Sequence, residues 1–69
     1  MPISFANIGD TVRIVKITGK DDVRQHLAEL GFVVDELVTI VSKIGSNLII
    51  QVKDSRIAVD ETMARRVLI

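Results

Sequence analysis

Between Asp22 and Val41 the spacing of apolar residues switches from helical to strand-like within one run, DVRQHLAELGFVVDELVTIV. Val23, Leu27 and Leu30 recur at i, i+4 and i+7 and share one stripe, with Ala28 further round. Arg24, Gln25 and Glu29 fall on the opposite face. Asp22 stands as a helix cap with Gln25 three residues on, the spacing of a capping box. Gly31 follows the stripe where a positive φ ends a helix without a Cβ clash, and Phe32 and Val33 return the chain to a core. A helix of two to three turns is too short to persist alone. It must dock on strands.

The rest of the chain supplies them. Pro2, Asn7 and Gly9 punctuate an entry segment, in which Phe5 and Ile8 are spaced to form one turn packed on the core. Thr11 to Ile17 alternates as a first strand, with Val12, Ile14 and Lys16 on one face and Arg13, Val15 and Ile17 on the other. Apolar residues on both faces suit a strand in a strongly curled or closed sheet. Leu37 to Ser42 is β-branched and reads as the second strand. Lys43 to Asn47 then turns, with Gly45 and Asn47 suited to positive φ. Leu48 to Lys53 is the third strand, burying Leu48, Ile50 and Val52. Asp54-Ser55 is of hairpin length, and Arg56 to Val59 is the fourth strand. Asp60 caps a helical turn through Ala64, and Arg66 to Ile69 closes the chain as a fifth strand. Short strands in a meander close most easily as a small barrel. The expected fold is therefore mainly β: an SH3-like barrel of about five antiparallel strands, with one amphipathic helix inserted after the first strand and a short C-terminal helical turn.

Length and charge narrow the function. The 69 residues hold one domain over 1–69. Nine basic and nine acidic residues give no net charge, which argues against a general nucleic-acid binder. Lys43, Lys53, Arg56, Arg65 and Arg66 make a mildly basic flank, so a small RNA-binding barrel is the rival class. Such modules stack bases on aromatic rings, and the two aromatics here, Phe5 and Phe32, read as core. No apolar run approaches the ~20 residues of a membrane-spanning helix, so the chain is not expected to be membrane-embedded. With no cysteine there is no disulfide or thiolate site, which fits the cytoplasm. A small aliphatic core without a staple favours burying apolar surface against a partner or another copy. Val33-Val34 and Val67-Leu68-Ile69 are the candidates, either as an interaction surface or as the residues that complete the barrel.

Candidate chemistry is sparse. His26 is the only histidine and borders the apolar stripe. With Asp22 it is the candidate metal ligand, but a transition-metal site needs several converging donors, and no diagnostic spacing completes one. Weak binding of a divalent ion is the most this donor set implies, and no cofactor is required. The pairs Asp21-Asp22 and Asp60-Glu61 sit at helix starts, where carboxylates complement the dipole. No serine lies in a nucleophile elbow and no glycine-rich loop cradles a phosphate. Enzymatic activity is not expected.

Arg24-Gln25-His26-Leu27 followed by Glu29-Leu30-Gly31-Phe32 is similar to the R-x-x-L-x-x-L-G-[FLM] signature of the FeoA family. Phe5-x-x-Ile8-Gly9, the strand and loop from Val12 to Gly19, and Arg56-Ile57-Ala58-Val59 with Met63-Ala64 resemble its other segments in the same order. The same barrel occurs as the C-terminal domain of metal-dependent repressors of the diphtheria-toxin-repressor type. Three departures stand out: Val34-Asp35 replaces a usual Pro-Gly, Ile44-Gly45-Ser46-Asn47 lacks the frequent proline, and Asp60 replaces a basic residue. The resemblance implies a non-enzymatic cytosolic accessory protein of ferrous iron transport. Its implied partner is the membrane transporter with a G domain, met at the helix face carrying Arg24, Gln25 and Glu29 with loop residues Lys43 and Ser46. The resemblance makes Fe2+ or Mn2+ the divalent ion for any weak binding, and the alternative it leaves is a metal-regulator-type module binding a peptide, a divalent metal or another copy of itself.

Overall fold

The computed structural model describes residues 1–69. The first expected strand is two strands. β1 (Thr11–Arg13) and β2 (Lys16–Ile17) flank a fully buried Ile14 and belong to different sheets. β1 joins β3 (Leu37–Ile44), β4 (Asn47–Val52) and β5 (Ser55–Val59) in an antiparallel sheet of order β1-β3-β4-β5. β2 pairs with β6 (Val67–Leu68) in a second, two-stranded sheet. Burial runs through Val12 and Ile14 and then skips to Ile17, leaving Val15 and Lys16 exposed. This shift of parity is why apolar residues occupy both faces of the run.

Helix α1 (Asp21–Glu29) follows β2 and ends as its sequence requires. The Phe32 N–H donates to the Leu27 carbonyl at 3.0 Å and the Gly31 N–H to that of Ala28 at 3.0 Å, the paired bonds of a Schellman cap. Gly31 takes φ 102°, and a Cβ there would sit 3.1 Å from Val52 Cγ1. Leu27 and Phe32 are buried, with Val23 and Leu30 packed against the core. Val33 to Glu36 then form a turn in which the Glu36 N–H donates to the Val33 carbonyl at 3.1 Å and Asp35 takes φ 73°. A positive φ at the third position is the mark of a type II turn, which favours proline before glycine. The Val34-Asp35 replacement thus keeps the backbone that a Pro-Gly pair prefers.

A bulge between Ile40 and Ser42 bends β3. α2 (Glu61–Ala64) is capped by Asp60, whose Oδ1 accepts from the Met63 N–H at 2.8 Å. Pro2 bridges Leu68, and the Ile69 N–H donates to the Met1 carbonyl at 2.7 Å, so the two ends of the chain lie side by side. All thirteen buried residues are apolar, and no polar side chain is desolvated in the core.

Several local expectations are corrected. Phe5 and Ile8 are exposed, because a 3-10 turn over Ile3–Phe5 directs Ile3 and Ala6 inward instead; three residues per turn puts positions three apart on one side. Asp22 is not the helix cap and makes no capping box. Lys20 holds that position without a side-chain bond, and the Asp22 carboxylate accepts the N–H of the adjacent Val23 at 2.9 Å. Asn47 lies in β4, and Lys53 leaves the strand to enter the β4–β5 turn at φ 56°. Of the two apolar segments left open, Val67 to Ile69 complete the barrel, whereas Val33 and Val34 stay on the surface.

These backbone positions predict opposite effects. Asp35→Gly relieves a left-handed residue and should raise stability by about 0.5–1 kcal/mol, or a few degrees in melting temperature. Gly31→Ala combines that strain with the approach to Val52 and should lower stability by about 1–2 kcal/mol. Thermal and urea unfolding followed by circular dichroism measure both.

Candidate docking groove

Two consequences of the fold leave apolar side chains in water. Where the chain passes from β1 to β2, Val15 turns outward and is 55% exposed. After the helix, the Schellman cap sends Phe32 inward and the following turn holds Val33 and Val34 outside, at 42% and 53% exposure. These segments form the walls of an open groove of about 550 Å³ between β2 and its loop on one side and α1 on the other. Ala28 lies on the helix side, and Phe32, itself fully buried, borders the groove from within. Lys16 and Arg24 are the charged residues of the lining, which contains no carboxylate. Arg24 sits 3.8 Å from Asp21 in an exposed pair, a contact too solvated to hold the guanidinium in place.

The residues expected to form one docking surface are spread over three settings. Arg24 lines the groove. Gln25 and Glu29 are exposed on α1 but do not line it. Lys43 and Ser46 lie at the β3–β4 hairpin and border a second, smaller hollow of about 180 Å³ with Ser4, Phe5 and Glu61. The two hollows share no residue. Asp22 and His26 are both exposed on α1, and no three histidine, aspartate or glutamate side chains come together to hold a metal ion. Thr18, also in the lining, directs its hydroxyl to the Arg66 carbonyl at 3.4 Å. Val15 and Lys16 were not singled out from the sequence. Their signal was the apolar content on both faces of the first strand.

Two antiparallel sheets sharing one broken strand, with a helix inserted after it, define a small SH3-like barrel. The family model described as the FeoA domain matches residues 1–69, and the chain belongs to the FeoA family. Among solved structures, an iron uptake regulatory protein, FeoA, is 28% identical with a TM-score of 0.90, covering 97% of this chain and 91% of its own. The Stenotrophomonas maltophilia FeoA, solved with zinc and described as a prokaryotic SH3 domain protein, is 30% identical with a TM-score of 0.86, covering 99% and 87%. A manganese-dependent transcriptional repressor shares the fold alone, at 11% identity and a TM-score of 0.88, covering 97% of this chain and 39% of the repressor. No curated protein matches the sequence. No helix is long and apolar enough to cross a membrane.

The scattered donor set predicts that ferrous ion, titrated anaerobically into the isotope-labelled protein, gives only weak, non-saturating shifts. His26→Ala should leave them unchanged. A saturable response at micromolar metal that disappears in this variant would contradict the expectation.

Proposed function

We propose that this chain is a non-enzymatic accessory protein of ferrous iron transport that docks on the cytosolic part of the membrane iron transporter, the part that carries its G domain. The observation that carries this reading is the groove: three outward valines flanked by two cations, on a barrel whose core is filled without them. Exposed apolar side chains beside solvent-exposed cations are the makings of an interaction site. Membership of the FeoA family supports the transport role, as does the Stenotrophomonas maltophilia relative, put forward as a ferrous iron transport activating factor. The repressor likeness is one of fold and adds no second reading.

In this reading the groove and the adjoining α1 face with Arg24, Gln25 and Glu29 make the main contact. Lys43 and Ser46, at the separate hollow, make a second one. A barrel this small offers an interface at the low end of the usual range. Docking changes transport only if the barrel binds two states of the transporter unequally. A tenfold preference, about 1.4 kcal/mol, is within the range of known couplings.

Val34→Asp places a carboxylate in the apolar wall and Arg24→Glu inverts the adjoining charge. Each should weaken binding to the purified cytosolic part of the transporter by about tenfold or more, whereas Lys43→Glu should have the smaller effect expected of a rim charge. Calorimetry on the three variants measures this. Unchanged affinity in both groove variants would remove the groove from the docking surface.

A further inference from the structure

The groove has a directional feature beyond its apolar walls. β2 has β6 as its only strand neighbour, so its other edge is open. Both residues of β2, Lys16 and Ile17, line the groove, as do Val15 before it and Thr18 and Gly19 after it. A strand showing its face presents alternate residues, and one showing its edge presents all of them. The hydrogen bonds agree. The Thr18 N–H donates to the Arg66 carbonyl at 2.8 Å, and Ile17 stands opposite Val67. The backbone groups of successive strand residues point to opposite edges, so the Ile17 N–H and C=O are directed away from β6. One donor and one acceptor of an unfinished ladder therefore face a groove with apolar walls and two cations.

We propose that the groove takes an extended peptide segment of the partner as an added strand on β2. Its backbone exchanges hydrogen bonds with Ile17, its apolar side chains rest against Val33 and Val34, and an acidic residue lies beside Lys16 and Arg24. Strand addition to an open edge is a general mode of peptide recognition, in which main-chain bonds give affinity and side-chain contacts give specificity. Lys16 and Arg24 in the lining favour an acidic segment over a basic one, since the fully exposed Asp21 beside Arg24 is a partner the guanidinium can exchange. This deepens the docking reading above by naming the chemistry of what the transporter's cytosolic part presents.

The test uses the intact isotope-labelled protein and follows amide shifts in two-dimensional NMR. The probe is a synthetic acetylated peptide of alternating valine and threonine ending in aspartate. Two further versions are N-methylated at every second residue, one in each parity, and a fourth replaces the aspartate by asparagine amide. The parent peptide should move the amides of Val15 to Gly19 and of Phe32 to Val34. One methylated parity should bind about tenfold more weakly, corresponding to the loss of the edge hydrogen bonds, while the other binds as the parent does. The neutral version should bind several-fold more weakly at low salt and lose that difference at high salt.

Equal affinity of the two methylated parities, or shifts confined to other surfaces, would overturn strand addition. Concentration-dependent shifts along the groove without peptide would assign it to a second copy of this chain instead. A parallel titration with the transporter's cytosolic part separates the two readings. Binding there with shifts away from the groove sinks strand addition and keeps docking. Peptide binding in one parity with no response to the cytosolic part sinks docking on that partner and keeps the strand-adding groove.

Discussion

Ile14 holds the two halves of the barrel together through its backbone. Its N–H donates to the Glu36 carbonyl at 3.0 Å, and its carbonyl accepts from the Asp35 N–H at 2.7 Å. The residue is fully buried, and a buried peptide group without partners is costly. Because the turn after the helix satisfies both groups, the chain can leave β1 and take up β6 within two residues. Val15 begins that second pairing, its N–H donating to the Leu68 carbonyl at 2.8 Å. One short segment thus serves two sheets. The partner turn exists only because Gly31 ends the helix and Asp35 accepts a left-handed backbone, so helix exit, turn and strand change form one unit.

The candidate groove is a by-product of that unit. The same strand change that buries Ile14 turns Val15 outward, and the same helix exit that buries Phe32 leaves Val33 and Val34 outside. An open strand edge is a hazard for uncontrolled pairing, which proteins limit with short edges and charged side chains. β2 is two residues long and one of them is Lys16. A short edge with a lysine on it is poorly suited to pairing with arbitrary strands and better suited to a segment that brings a matching carboxylate.

Much of this architecture was legible in the sequence. The Val23, Leu27 and Leu30 stripe, the Gly31 exit and the inward Leu48, Ile50 and Val52 are local patterns whose period states which side is buried. Asp60 reads as a cap for the same reason: its carboxylate reaches a donor three residues away. The misreadings fell where one residue of slippage changes the outcome. A helix beginning at Asp21 puts Asp22 inside the first turn, and a 3-10 turn beginning at Ile3 exchanges Phe5 for Ala6 in the core. The exposure of Arg24 was legible from its place on the polar face of the helix, but not the groove it lines. Val15 and Lys16 were not, because their exposure depends on a break in a strand that alternates smoothly in sequence.

The sequence by itself determined the elements, their order and most of the core, because hydrophobic period, glycine at a helix end and carboxylates at helix starts act over a few residues. Only the tertiary structure decided that the first strand divides between two sheets, that the last three residues close the barrel, and that Val33 and Val34 face solvent. Those outcomes depend on hydrogen bonds between segments some twenty to fifty residues apart, Ile14 with Asp35 and Glu36, and Val15 with Leu68. Such pairings are set by the geometry of closing a small sheet on itself, and no local pattern encodes them.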